Sequence, residues 1–215
     1  MFNTTSGLRR LGVAAVPLIV LVAPVTLATS ASAEAEQFYF FEETAEAFWA
    51  VPHECADGSI VQATLLVRST RDFESPETED PEPTARVQYN APCQDGSQVS
   101  WGRRNVVPAT ITSTQNLKSV TATGEGLVRD DFNSTLLHPV SFDVTWTGVG
   151  PLETSVDSNV AEGFSVNTST RKQREATATG RVIADGAVLV DGQNNHPTRP
   201  APFIRTDEER TTRMP

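Results

Sequence analysis

Apolar and polar residues alternate along much of this chain, with the two-residue period of a β-strand that buries one face. In the stretch SFDVTWT, for example, Phe142, Val144 and Trp146 alternate with polar side chains. Runs of this kind, separated by turn-forming residues, predict strands at about 37–51, 59–72, 84–92, 97–107, 110–128, 139–148, 163–168, 174–184 and 187–191. About eight or nine antiparallel strands predict an all-β fold, either a sandwich or a closed barrel.

Composition supports this fold class. The chain contains 26 Thr and 23 Val, β-branched residues that suit a pleated, half-buried surface. Apolar residues rarely recur at helical spacing, and only the stretch 42–50 is rich in helix formers. We expect that stretch to be a strand as well. The sequence therefore predicts a single β domain over residues 34–192.

Two stretches share the phrase Thr-Ala-Thr-Gly, SVTATGEGLVRD (119–130) and EATATGRVIADG (175–186). In each, the residues that fall on one strand face are mostly small: Val120, Ala122, Gly124, Gly126 and Val128 in the first, and Ala176, Ala178, Gly180 and Val182 in the second. Small residues leave room for the bulky side chains of the intervening strand 139–148, as inside a small barrel or between sandwich layers. Close approach of a ligand to the glycines is the less favoured alternative.

The first 33 residues have the form of a signal peptide. A polar start with two arginines leads into the apolar run Leu11–Leu27, and Ala31-Ser32-Ala33 supplies a small-residue cleavage site. We therefore expect cleavage near Ala33, a mature chain from Glu34 and secretion. No later stretch reaches the roughly 20 apolar residues of a membrane-spanning helix.

Charge restricts the partners of the mature domain. The chain carries a net charge of −10, which disfavours non-specific binding to nucleic acid or to anionic membrane. The stretch 74–83, ESPETEDPEP, combines five acids with three prolines and predicts an exposed loop. Residues 193–215 are also poor in core residues, and only Phe203 and Ile204 are expected to dock. They predict a loosely ordered C-terminal tail.

The only two cysteines, Cys55 and Cys93, each open the phrase Cys-x-Asp-Gly-Ser. In an exported chain two cysteines favour a disulfide. Strands 59–72 and 84–92 would form an antiparallel hairpin around the acidic loop and bring both cysteines together at its open end. Asp-Gly after each cysteine is typical of a turn, because glycine adopts positive φ without strain.

A calcium site at the doubled phrase is the alternative interpretation. The disulfide would bring Asp57 and Asp95 together, with Glu54 beside them. Calcium requires about six to eight oxygen ligands, and these residues offer about three carboxylates without the spacing of an EF-hand. The sequence therefore predicts no metal and no other cofactor, with Asp57 and Asp95 as the weak metal candidates.

Motifs for catalysis are absent from the sequence. The three histidines lack zinc-binding spacing, and no nucleophile elbow, phosphate-binding loop or dinucleotide fingerprint occurs. For ligand binding the candidates are Trp49, Trp101 and Arg103, since exposed indoles could stack on sugar rings and Arg103, on the strand face of Trp101, could hold an anion. Packing of the tryptophans in the core is the favoured alternative.

The stretch FDVTWTGVGPL, followed by REATATGRV, resembles sequences of small exported actinobacterial β-rich proteins whose function is not established. The resemblance covers about residues 140–190. It implies export and a β fold, and it transfers no catalytic residue. The excess of arginine over lysine is also typical of the GC-rich genomes of such bacteria.

Together these features predict an exported, non-enzymatic β domain, monomeric, that binds an unidentified extracellular ligand, wall component or protein. The alternative is a small secreted hydrolase or isomerase whose site is assembled only in space. An exposed tryptophan among polar groups would favour binding. A buried histidine–carboxylate pair in a cleft would favour an enzyme.

Overall fold

The computed structural model of the chain describes residues 36–75, 82–161 and 165–213, and these residues confirm the all-β prediction. Ten strands follow one another: β1 (Glu36–Glu54), β2 (Ile60–Ser75), β3 (Thr84–Pro92), β4 (Gln98–Trp101), β5 (Val107–Ser113), β6 (Ser119–Arg129), β7 (Leu137–Ala161), β8 (Ser165–Ala184), β9 (Ala187–Gln193) and β10 (Phe203–Arg213). A 3₁₀ turn at Gln115–Leu117 precedes β6. The predicted signal peptide, and residues 76–81 of the predicted acidic loop, lie outside the described residues.

The strands form one antiparallel sheet that closes on itself. Its order is β1-β2-β3-β5-β6-β7-β8-β10, and β10 pairs back with β1, so that eight strands complete a ring. The two remaining strands each pair with one strand of the ring. β4 pairs with β3 beyond the part that pairs with β5, and β9 pairs with β8 beyond the part that pairs with β10. Of the two architectures that the sequence allowed, the chain adopts the barrel-like one.

The interior is filled by the alternation that the sequence displays. Phe142, Val144 and Trp146 of β7 are all buried. In register, Val144 lies between Ala122 of β6 and Gly180 of β8. A bulky central strand therefore packs between two strands with small inner residues, which confirms the packing interpretation of the repeated phrase.

The glycines of the repeat are required by this packing. A Cβ atom on Gly180 would stand 2.7 Å from Cγ2 of Val144, and one on Gly124 would stand 2.8 Å from Cζ of Phe142. Both distances are too short for a real side chain, so only glycine leaves enough room for Val144 and Phe142 at these positions. This close approach is made by protein atoms.

The predicted disulfide is confirmed. Cys55 follows β1 and Cys93 follows β3, and the bond between them spans a Cα–Cα distance of 5.9 Å. It ties the turn of the β1–β2 hairpin to the turn of the β3–β4 hairpin. Because the cysteines are 38 residues apart in sequence, the bond restricts a large part of the unfolded chain.

Each cysteine is followed by the predicted turn. The Oδ1 atom of Asp57 accepts hydrogen bonds from the backbone N–H of Ser59 at 2.9 Å and from its hydroxyl at 2.6 Å. Asp95 and Ser97 repeat the arrangement at 2.8 and 2.6 Å. The glycine inside the first turn, Gly58, has φ of +80°, the region that glycine adopts without strain. The doubled phrase is one turn used twice.

The predicted loose tail is wrong for residues 203–213, which form β10. This strand pairs with β1 on one side and with β8 on the other. Ile204 points into the barrel and is fully buried. The carboxylate of Asp207 forms salt bridges with Arg171 of β8 and with Arg205, each at 2.7 Å. Backbone pairing and ion pairs hold this strand in place. The pattern of apolar residues along the sequence does not reveal interactions of these kinds.

The connection between β9 and β10 is also fixed in place. The backbone N–H of Thr198 donates to Nδ1 of His196, so Nε2 carries the proton and donates to the hydroxyl of Thr64 on β2 at 3.0 Å. Arg199 lies over the ring of Phe48 on β1, with its guanidinium carbon 5.6 Å from the ring centroid. Burial, together with the charge of Arg199, lowers the pKa of His196. The neutral imidazole is therefore the form that fastens this segment.

The two ends of the barrel differ. The disulfide lies at one end, which we call the closed end. At the other end β2 continues to pair with β1 up to Ser75, although its pairing with β3 stops at Thr70. Likewise β7 pairs with β8 up to Ala161, although its pairing with β6 stops at Thr147. Five strands, β2, β1, β10, β8 and β7, thus rise past the other three around what we call the open end.

Candidate functional site

A cavity of about 550 Å³ lies at the open end. It is bounded by the raised parts of β1 and β2 and by the two residues that precede β3. Among the described residues, its lining comprises Tyr39, Phe41, Arg71, Asp72, Phe73, Glu82 and Pro83. Mouths of β-barrels are common ligand sites, because the rigid wall holds side chains around a space that water otherwise fills.

Three aromatic rings form the apolar side of the cavity. Phe41 of β1 and Phe73 of β2 are direct partners across the strand pair, and Tyr39 lies two residues further along the same face. The rings of Tyr39 and Phe73 are 6.0 Å apart between centroids and tilted by 54°. All three side chains are half-buried, so a ligand in the cavity would remove exposed aromatic surface from water.

An ion pair lies one residue pair deeper. Glu43, directly across from Arg71 in the strand register, is only 3% exposed. Nη2 of Arg71 donates to Oε2 of Glu43 at 2.7 Å and to the hydroxyl of Ser113 at 3.3 Å. A carboxylate this deeply buried needs such a partner. The pair forms a polar boundary between the cavity and the apolar core, which begins with Ala45.

The charge around the cavity is mainly negative. Asp72 and Glu82 are exposed and line it, whereas the positive charge of Arg71 is matched by the carboxylate of Glu43. Burial, and then the negative charge of Glu208, raises the pKa of Tyr39, so its phenol is neutral. Among the described residues, a ligand here meets three aromatic rings, of which Tyr39 already lies under Arg210, and the carboxylate of Glu82.

The closed end is filled by stacked rings. His53 meets Tyr89 edge-on at 5.8 Å, Tyr89 stacks on Trp101 at 5.2 Å, and Trp101 stacks on His138 at 5.5 Å between ring centroids. Burial raises the pKa of Tyr89 to about 12, so this phenol is also neutral. The stack closes the barrel beside the disulfide.

His138 provides the one arrangement with a catalytic appearance in the described part of the chain. Its Nδ1 atom is 2.7 Å from Oδ2 of Asp185, and its Nε2 atom is 3.7 Å from Oδ2 of Asp130. Nε2 is buried and has no hydrogen-bond partner among the described residues. A general base must reach the proton that it removes. This imidazole is turned into the ring stack instead, and it does not line the cavity at the open end.

The tryptophans named for ligand binding lie inside the barrel. Trp49 is 1% and Trp101 is 4% exposed, so neither offers a ring face to solvent. Arg103 does not share a strand face with Trp101, which is a correction to the sequence interpretation. Strand β4 ends at Trp101, and Gly102, with φ of +80°, turns the chain, so that Arg103 lies in the following bend.

The carboxylates named for calcium are engaged in their own turns. The hydrogen bonds from Ser59 lower the pKa of Asp57. Among the described residues, the group placed closely enough to hold a metal is His53, Cys55 and Cys93, with ligand atoms within 4.8 Å of one another. The two sulfur atoms of this group are joined in the disulfide.

Sequence interpretation missed the open-end residues. The run FYFF at 38–41 was visible, but only the strand register places Phe41 beside Phe73, and only the raised rim leaves both rings at a cavity. The paired charges of Glu43 and Arg71 were equally visible as residues inside predicted strands. A charged residue at an inward-facing position is the signal that could have identified this end.

Within the described residues, no helix has the length and apolar character needed to cross a membrane. The resemblance of residues 140–190 to exported actinobacterial proteins stays a prediction. No protein-family model matches this sequence, and comparison with curated proteins and with solved structures finds no match either.

Proposed function

We propose that this chain is an exported, non-enzymatic binding protein that takes an extracellular ligand into the cavity at the open end. The observation that carries the proposal is the cavity of about 550 Å³ with three half-buried aromatic rings above the ion pair that Arg71 forms with the buried Glu43. Half-exposed rings on a rigid wall are a common means of binding, because burying them on contact is favourable and costs little conformational entropy.

The rest of the fold supports a scaffold role. The strand ring and the disulfide fix the positions of β1 and β2. Glu43, bonded to Arg71, holds the guanidinium at the base of the cavity. A site on strands is held more rigidly than a site on loops, which favours preorganised binding. The disulfide is compatible with the oxidising surroundings that an exported protein meets.

Binding is tested by nuclear magnetic resonance of the isotope-labelled mature protein, starting at Glu34. A panel of small apolar, cationic, anionic and sugar compounds is titrated, and amide shifts are mapped on the strands. We expect shifts around Phe41 and Phe73, lost in Phe73→Ala. The matched control is Phe132→Ala, an aromatic residue that is 66% exposed outside the cavity. Shifts that instead cluster at the closed end would contradict the proposal.

A further inference from the structure

We infer that the ligand of the open-end cavity is an organic cation, a quaternary ammonium or guanidinium group held against the rings of Phe41 and Phe73. The inference rests on the proposed function, because it names the ligand class of that same cavity. It is carried by three observations: the cations that neighbouring aromatic rings attract, the charge of the lining, and the shortage of oxygen ligands among the lining residues that the structure describes.

Aromatic rings on β1 and β10 already attract cations. In the described residues four guanidinium groups lie over rings of these strands: Arg213 over Phe38 at 4.8 Å, Arg210 over Tyr39 at 5.5 Å, Arg199 over Phe48 at 5.6 Å, and Arg205 over Phe203 at 5.8 Å from the ring centroids. The negative face of an aromatic ring attracts a cation, and such contacts occur about once per 70–80 residues in proteins. Four contacts to the rings of two paired strands mark this sheet as one whose rings attract cations.

The two rings inside the cavity are placed for the same interaction. Phe41 and Phe73 line the cavity as direct cross-strand partners, and they are not among the rings of the four contacts recorded in the described residues. The tilted ring of Tyr39 stands beside Phe73. Because Arg210 already lies over the ring of Tyr39, the faces that a cation entering the cavity can contact are those of Phe41 and Phe73.

The charges of the lining favour the same ligand. Glu82 carries a carboxylate at the cavity, and Asp72 lies beside it on the outward face of β2, between Arg71 and Phe73. The positive charge of Arg71 is matched by Glu43 at 2.7 Å, and that of Arg210, over Tyr39, by Glu208 at 3.7 Å. A cation is attracted and an anion is repelled. The whole chain, at a net charge of −10, adds attraction at longer range.

The chemistry of the lining distinguishes an organic cation from a metal ion. Calcium requires about six to eight oxygen ligands, and magnesium holds a tight shell of water. The apolar side of the cavity, formed by Tyr39, Phe41, Phe73 and Pro83, offers no such set. A methylated ammonium or a guanidinium is weakly hydrated and has apolar surface, so it suits rings on one side and carboxylates on the other.

The test is isothermal titration calorimetry of the mature protein with four probes. Choline and methylguanidinium are the cations, 3,3-dimethylbutan-1-ol is the neutral isostere of choline, and 3,3-dimethylbutanoate is the anion. We expect one or both cations to bind, choline more tightly than its isostere by roughly 3- to 30-fold. The anion should show no saturable binding. The affinity for the cation should fall with rising salt concentration.

Variants assign the binding to the cavity. Phe73→Leu keeps an apolar side chain and removes the ring, and it should weaken cation binding by roughly 3- to 30-fold. The double variant Asp72→Asn with Glu82→Gln should weaken it as well and reduce its dependence on salt. Phe132→Leu, the matched control, should leave it unchanged. Circular dichroism and the melting temperature establish that each variant is folded.

The outcomes separate the inference from the proposed function. If neither cation binds while the neutral or anionic probe binds and shifts amides near Phe41, the inference is overturned and the proposed function stands. Equal affinity for choline and its neutral isostere also overturns the inference. If no probe here or in the wider panel perturbs the cavity, both are overturned.

Discussion

Removal of the Trp146 side chain tests the barrel core directly. This residue has none of its surface exposed and lies between Val120 of β6 and Ala178 of β8 in the strand register. A buried tryptophan removes about 150–250 Å² from water, which corresponds to about 4–6 kcal/mol at about 25 cal/mol per Å². The indole N–H has no hydrogen-bond partner among the described residues, so its deletion returns about 1 kcal/mol.

We therefore expect Trp146→Ala to lower the free energy of unfolding by about 3–5 kcal/mol, within the range known for such deletions. The melting temperature should fall by roughly 6–20 °C. Urea unfolding followed by far-ultraviolet circular dichroism is the assay, because tryptophan fluorescence changes with the substitution itself. The slope of the transition should stay constant, since the folded state keeps its architecture.

Phe132→Ala is the control for this measurement. Phe132 is 66% exposed, so its truncation should change the free energy of unfolding by less than about 0.5 kcal/mol. A loss below about 1 kcal/mol for Trp146→Ala, similar to that of the control, would refute the packing of β6, β7 and β8 described above.

Three further predictions concern the staple, the repeat and the β9–β10 connection. Replacing Cys55 and Cys93 together by alanine should lower the free energy of unfolding by up to about 4 kcal/mol. An unchanged urea midpoint would contradict the stabilising role of the disulfide. Gly180→Val should destabilise by about 1–3 kcal/mol or prevent folding, because the new side chain meets Val144, and a wild-type melting temperature would show that the strands can separate. Burial lowers the pKa of His196, so the unfolded chain takes up this proton first as pH falls. In urea titrations, the stability advantage of wild type over His196→Gln should therefore shrink from about pH 7.5 to about pH 5. An advantage that grows would contradict the stabilising role of the neutral His196 imidazole.

The sequence was sufficient where a strand has one buried and one exposed face. On β6, β7 and β8 the alternation of apolar residues identified the inner face, and the small residues around Gly180 identified the packing partners of Val144. The disulfide followed from two cysteines placed just outside the open end of one predicted hairpin, which the structure forms from β2 and β3. In both cases a local pattern is a direct consequence of burial.

The sequence was insufficient where strands rise past the barrel. The upper part of β7, after the irregularity between Val149 and Glu153, was not predicted as a strand. Val156 and Val160 there are 61% and 63% exposed, so water reaches the face that would otherwise select apolar residues. Backbone pairing with β8 forms this part, and most side chains suit such pairing. β10 was missed for the same reason.

The candidate site depended on register. Predicted strands contained Phe41, Glu43, Arg71 and Phe73, but only the pairing of β1 with β2 brings them together. The tryptophans illustrate the opposite difficulty. An indole on an alternating strand suits either face, and the closure of the barrel decides that Trp49 and Trp101 are buried.

The pairing of Glu36 with Arg213 joins the first described strand to the last. Closing a ring between segments so distant in sequence loses much chain entropy before any contact compensates for it, so topology of this kind slows folding. Until β10 is in place, β1 and β8 both present unpaired backbone edges, and the run FYFF at 38–41 lies on one of them. Open edges of this kind pair with other chains. A chain cut short before Phe203 would therefore expose the edges of β1 and β8, and such edges favour association with other chains.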